Sequence, residues 1–310
     1  KAVLGKRTST SSAYGRVEYI QFPIGCESGD LRYKEIAVVS AFHPAYVHRR
    51  PELFGTFETQ LRLFTALLAG KDVGGEEQDL DHRVIYNAAL LRKYVDEVRA
   101  DPSRWLIAVD CEWHGISPNE PGAYLRTVQT STRHGEGICV VLHHQGGQPA
   151  FVPARSYAIE ELRRLLLTDE EAGYYPRVGG HLLRRYLPWL ISVGIDCRKE
   201  FAAPATPEEM RPRGGWDSTL AYHAVNETAS FHLSDMALQL TTAPRYDLDV
   251  IKWREAYCSK HKLKAKELEG YGDCPDWLLL SRYAPYDPDV ARRSFIRCAS
   301  EIRNLTTSIT

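Results

Sequence analysis

The stretch Trp105-Leu-Ile-Ala-Val-Asp-Cys-Glu-Trp-His-Gly115 constrains this chain more than any other. Four apolar residues, Leu106 to Val109, run into Asp110, and Glu112 follows two positions later. A short apolar run of this kind predicts a buried strand. Residues i and i+2 of a strand share a face and stand roughly 6 to 7 Å apart. Asp110 and Glu112 therefore point together at the end of that strand. Adjacent carboxylates repel and resist joint ionisation unless a cation compensates. An all-oxygen ligand set favours hard cations such as magnesium or manganese. The plainer reading is a strand end with two solvated acids, and the rest of the chain has to separate the two.

At 310 residues the chain is long for one average domain, and its 25% charged residues are those of a soluble globular protein. No apolar run approaches the roughly 18 residues of a membrane span, so no membrane partner is expected. The start, Lys1-Ala-Val-Leu-Gly-Lys-Arg7, lacks both the apolar core of a signal peptide and an initiator methionine, which reads as a fragment or a processed chain. A net charge of −1 excludes a global basic field, so any nucleic-acid contact must use local patches. The seven cysteines form no C-x-x-C pair, which argues against zinc and a disulfide framework and for a reducing, intracellular compartment.

Residues 1–70 read as one small α/β lobe, with a strand at Glu35–Ser40 and a helix at Phe57–Leu68. Residues 71–82 lie in a Gly- and acid-rich linker. Residues 83–310 form the larger domain. Its helices are expected at about Ile85–Arg99, Ile159–Leu167, Gly179–Val193, Thr219–Asn226 and Leu233–Leu240, with a helix or helix pair at Leu278–Ile302. Strands are expected at Leu125–Ser131 and Gly137–Leu142, joined by a turn at Arg133–Glu136. Glu200–Gly215 reads as an exposed loop. Strands first and helices after argue an α/β fold around a central mixed sheet.

A third carboxylate stands near the end, in Tyr283-Ala-Pro-Tyr-Asp287. Tyr283 and Asp287 are i and i+4 and would share a helix face, while Pro285 and Pro288 suggest that a helix starts close to Asp287. Three carboxylates beside a phenol suit a metal-dependent phosphodiesterase. Two cations about 4 Å apart can activate water and stabilise a leaving oxygen, and a tyrosine hydroxyl can orient that water. Asp287 could equally cap a helix, and Tyr283 could be a core tyrosine.

Taken together, Ala-Val-Asp110-Cys-Glu112, Leu125-Arg-Thr-Val-Gln129 and Tyr283-x-x-x-Asp287 resemble the DEDD exonucleases of the tyrosine subclass. The resemblance is to the proofreading domain of polymerase I-like DNA polymerases, and it spans about residues 83 to 305. Trp216-Asp217-Ser-Thr-Leu and Phe231-His-Leu-Ser-Asp235 fit the same order. It implies a ribonuclease H-like (DnaQ-like) mixed sheet flanked by helices. It also implies a catalytic set of Asp110, Glu112, Tyr283 and Asp287, with Asp110, Glu112 and Asp287 holding Mg2+ or Mn2+ in a two-metal site. The implied substrate is a single-stranded DNA 3′ end, and the implied partner is a polymerase domain beyond Thr310. Trp113, Gln129, His181, Tyr186 and Asp217 are the candidate DNA contacts. Trp113 is nearly as well read as core, His181 as a packing residue, and Arg184-Arg185 as a solvated face.

One departure puts the second metal in doubt. The family's second motif reads G-H-N-x-x-x-D, and here Leu182 stands at the asparagine position and Tyr186 at the aspartate position. A phenol stays neutral at pH 7. Asp217 or Asp196 could substitute. The pattern leaves two readings: a 3′–5′ exonuclease, weakened or not, and a disabled exonuclease-like module that positions a primer end. Finally, Val38-Val-Ser-Ala-Phe-His43-Pro44 resembles the His-Pro loop of the uracil-DNA glycosylase fold, whose water-activating half has no counterpart in this sequence.

Overall fold

A computed structural model describes residues 17–27, 30–69, 80–200, 215–227, 231–241, 243, 246–264, 268 and 270–307. Most of the expected linker (70–79) and loop (201–214) lies outside them. The chain divides into two compact units, Lys1–Gln78 with Thr228–Arg245, and Asp79–Glu227 with Tyr246–Thr310.

In the first unit, β1 (Val17–Glu27) and β2 (Asp30–Val39) form an antiparallel hairpin. Helix α1 (Pro44–Arg49) follows, and its start is set by two adjacent residues. His43 Nδ1 accepts from the Ala45 N–H at 3.2 Å, and Pro44 takes the first helical position. His43 thus acts as a helix cap. Helix α2 (Phe54–Leu68) begins three residues earlier than its apolar spacing suggests.

The second unit is built on six strands. These are β3 (Asp81–Ile85), β4 (Leu106–His114), β5 (Tyr124–Ser131), β6 (Glu136–Val141), β7 (Arg177–Gly180) and β8 (Trp216–Asp217), in the spatial order β3-β6-β5-β4-β7-β8. β5 runs antiparallel to both its neighbours, and every other pairing is parallel. The run β6-β5-β4-β7-β8 with only its second strand reversed is the ribonuclease H-like arrangement, and β3 extends it beyond β6.

Alternation along β4 sorts its side chains. Ile107, Val109 and Cys111 enter a core against Leu91, Tyr94, Val95 and Val98 of α3 (Ala88–Ala100) and Leu162, Leu165 and Leu166 of α4 (Arg155–Leu166). The spacing of those α3 residues is the one-faced stripe of an amphipathic helix, and Asn87 caps it by accepting from the Leu90 N–H. Each fully buried leucine contributes roughly 1.5 to 3 kcal/mol. Ala108, Asp110 and Glu112 therefore belong to the opposite face.

Two helices expected from the sequence are not as spacing suggested. Asp81–Ile85 pairs with β6 as a strand, so α3 starts only at Ala88. Arg177–Gly180 is strand β7, and the segment after it turns sharply before the short helix α5 (Leu187–Ser192). The chain continues through α6 (Ser218–Val225), α7 (Leu233–Leu240), α8 (Leu248–His261), α9 (Asp276–Arg282) and α10 (Tyr286–Thr307). α7 belongs to the first unit, where it packs on α2. α10 lies across β4, β5 and β6 on the face that carries Asp110 and Glu112. Among the described residues no helix is long and apolar enough to cross a membrane.

Candidate metal centre

Asp110, Glu112 and Asp287 each present a carboxylate oxygen, and those oxygens lie within 4.8 Å of one another. β4 supplies two of the acids in fixed register, Asp110 opposite Gln129 and Glu112 opposite Thr127. A bulge follows Glu112, so that Trp113 pairs with Leu125 and Arg126 is left over. Asp287 comes from the first turn of α10, preceded by a tight turn in which the Tyr286 N–H donates to the Tyr283 carbonyl at 3.0 Å. Gly137 of β6 makes room for this turn, because a Cβ there would stand 2.0 Å from the Pro285 carbonyl oxygen. Tyr283 and Asp287 therefore meet across a turn, with Tyr283 closing α9, and not along one helix.

The electrostatics of the site are those of acids held together against their own charge. Burial pushes the Asp110 carboxyl well above its ordinary range, and the Asp287 charge adds to this. Glu112 is raised likewise by burial, then by Asp110 and Asp287, with Arg126 pulling the other way. Asp287 is pushed up to about 7, chiefly by burial, against the lowering effect of hydrogen bonds from Tyr246 and Tyr283. The Tyr246 hydroxyl donates to Asp287 Oδ1 at 2.6 Å, and its ring stacks on Tyr286. Gln129, fully buried opposite Asp110, donates from Nε2 to Thr127 Oγ1 at 2.7 Å and leaves Oε1 without a partner. Three crowded carboxylates are an all-oxygen donor set, which fits a hard divalent cation.

The other sequence candidates are dispersed. Trp113 turns towards the α3–α4 core and stacks on Trp189 at 5.4 Å. His181 Nδ1 lies 3.0 Å from Ser218 Oγ and 3.1 Å from Thr219 Oγ1, at the start of α6. Asp217 accepts from the Thr219 and Leu183 N–H groups at 2.8 and 3.1 Å, so it is a double cap. Asp196 pairs with Arg198 at the surface. Neither of these two aspartates joins the cluster. Tyr186 is buried in the core, with its hydroxyl packed on Gly180, where a Cβ would stand 1.8 Å from that oxygen.

Sequence reasoning passed over two residues. Tyr246 carries no motif, and its bond to Asp287 spans 41 positions. Arg126 looks like one more strand residue, yet the bulge turns it so that it binds the Asp276 carboxylate and the carbonyls of Tyr271 and Gly272. It thereby ties the 271–276 segment to the sheet beside Glu112.

No protein-family model matches the chain, and no curated protein matches it in sequence. Solved structures align with it at low identity. The EXO domain of Nibbler from Aedes aegypti is 9% identical over 74% of this chain and 92% of its own, with a TM-score of 0.44. The catalytic core of RRP6 from Trypanosoma brucei is 14% identical over 99% of this chain and 67% of its own, with a TM-score of 0.43. NrnC from Brucella melitensis, solved bound to pGG, is 15% identical over 73% and 83%, with a TM-score of 0.39.

Proposed function

We propose that the second unit is a divalent-cation-dependent 3′–5′ exonuclease that hydrolyses the terminal phosphodiester of a single-stranded or frayed DNA 3′ end. The observation that carries this reading is the convergence of Asp110 and Glu112, from within strand β4 of a ribonuclease H-like sheet, with Asp287. The motif resemblance to the tyrosine-subclass DEDD exonucleases, which rests in part on the same acids, supports it.

Asp110, Glu112 and Asp287 would hold Mg2+ or Mn2+. A hard cation there supplies Lewis-acid activation of the phosphodiester and of the attacking water. The chain's own groups do the rest. The Tyr246 hydroxyl hydrogen-bonds Asp287 Oδ1 and holds that oxygen in place. Tyr283 would orient the attacking water through its hydroxyl. The reaction breaks the P–O3′ bond and releases a nucleoside 5′-monophosphate. The resemblance to polymerase I-like proofreading domains extends the reading to a polymerase partner that shares the 3′ end.

The test is digestion of a 3′-overhang oligonucleotide labelled at its 5′ end, in DNA and RNA forms, with Mg2+ or Mn2+. Stepwise shortening that disappears in Asp110→Asn is expected, and a labelled strand that stays full length at stoichiometric enzyme removes the activity from this chain. A second reading, a disabled module that binds the 3′ end without cleaving it, is favoured by the neutral Tyr186 beside Asp110. Tight binding of single strands without turnover selects it.

A further inference from the structure

We infer that the carboxylate cluster takes one divalent cation and not two, because no fourth carboxylate joins its three acids and the nearby Gln129 and Tyr186 side chains are neutral where a second cation needs charge. The inference rests on the nuclease reading above and narrows its metal requirement.

Two-cation phosphodiesterase sites hold their ions about 3.5 to 4 Å apart, and a shared carboxylate cannot serve both alone. Here the three acids converge on one point, all within 4.8 Å. Their summed charge of about −3 becomes about −1 with one divalent cation, whereas a second would leave buried positive charge with no ligand of its own. The flanks of Asp110 do not relieve this. On the β5 side stands Gln129, neutral, buried, and offering one unpartnered carbonyl oxygen. On the β7 side Tyr186 fills the space over Gly180 with a ring and a hydroxyl that has no side-chain partner. Beyond it Asp217 has both carboxylate oxygens engaged by backbone N–H groups of Leu183 and Thr219. Asp247 acts on Asp287 and stands outside the cluster. Among the described residues no fourth carboxylate reaches the site.

The test counts cations. Free Mn2+ is followed by electron paramagnetic resonance during titration of the full chain and of Asp110→Asn, with and without a nucleoside 5′-monophosphate. The difference between the two chains counts the ions that need Asp110. One per chain, unchanged by the nucleotide, is expected, and two in either condition overturns the inference. None at all removes the metal reading itself, a distinct outcome. Tyr186→Phe keeps the count at one, while Tyr186→Asp raises it to two. A folded Tyr186→Asp chain that still takes one ion overturns the role given to Tyr186, and if that variant does not fold, the parent count decides.

Discussion

Asp287→Asn is the substitution whose effect follows most directly from the site. In the metal-free protein the Asp287 carboxyl titrates at about 7 against an ordinary 3.8. At about 1.36 kcal/mol per pH unit, that difference corresponds to about 4 kcal/mol. A carboxyl raised in the folded state binds its proton more tightly there than in the unfolded chain. The contribution of this one group to stability is therefore full below about pH 4, falls as pH rises towards 7, and is lost above it. Asparagine removes the charge and keeps an oxygen that can accept from Tyr246. In EDTA, parent and variant should melt together at pH 4, and the variant should be the more stable by up to about 4 kcal/mol at pH 8. At about 2 to 4 °C per kcal/mol for a unit of this size, the gain is on the order of 10 °C. Mn2+ should then close most of the gap, since an ion at about 100 times its Kd adds about 2.7 kcal/mol to the parent alone. Melting followed by circular dichroism at pH 4, 6 and 8 reads all of this. Equal melting at pH 8 in EDTA would refute the claim that the acids are held together against repulsion.

Three further substitutions probe the surroundings. Tyr246→Phe deletes a donor to a buried carboxylate, an interaction of about 1.5 to 3 kcal/mol, and leaves Asp287 harder to ionise. The pH at which Mn2+ binding is half lost should move upwards, and an unchanged binding profile counts against Tyr246 as a positioning residue. Arg126→Met removes a buried guanidinium from the Asp276 carboxylate and the Tyr271 and Gly272 carbonyls, each of which keeps another donor, and should cost about 1.5 to 3 kcal/mol in a urea titration. Leu182 sits at φ +52°, a left-handed conformation that costs a non-glycine residue about 1 to 2 kcal/mol. Leu182→Gly should raise the urea midpoint, and a lower midpoint would mean that its side chain contributes more than its backbone costs.

The sheet was legible where its residues declared themselves locally. The apolar run into Asp110 could hardly be anything but a buried strand, and β5 and β6 stood out by their β-branched content. β3 and β7 were not legible, for a shared reason. Asp81-His-Arg-Val-Ile85 and Arg177-Val-Gly-Gly180 are short, polar or glycine-rich, and become strands only because a parallel neighbour satisfies their backbone. Register against a distant partner leaves no periodic mark in so few residues. Helix α8 carried too little one-sided apolarity to be seen, and Tyr246 precedes it without any motif of its own.

The acid cluster was legible by type, and its assembly was not. Two of its members share a strand, so alternation alone places them together. The third arrives from 175 positions later, and what delivers it is a turn seated on Gly137. The same distinction explains the second motif. The segment at 182–186 keeps a left-handed residue and a side chain reaching back towards Gly180, but with leucine where asparagine is favoured and with a phenol at the end. The backbone path there is set by the strand before it and by the double cap of Asp217, neither of which depends on the side chain at 186. The route of the backbone and the charge at position 186 thus have separate sources, and on the proposed reading the number of cations the site takes follows the side chain at 186.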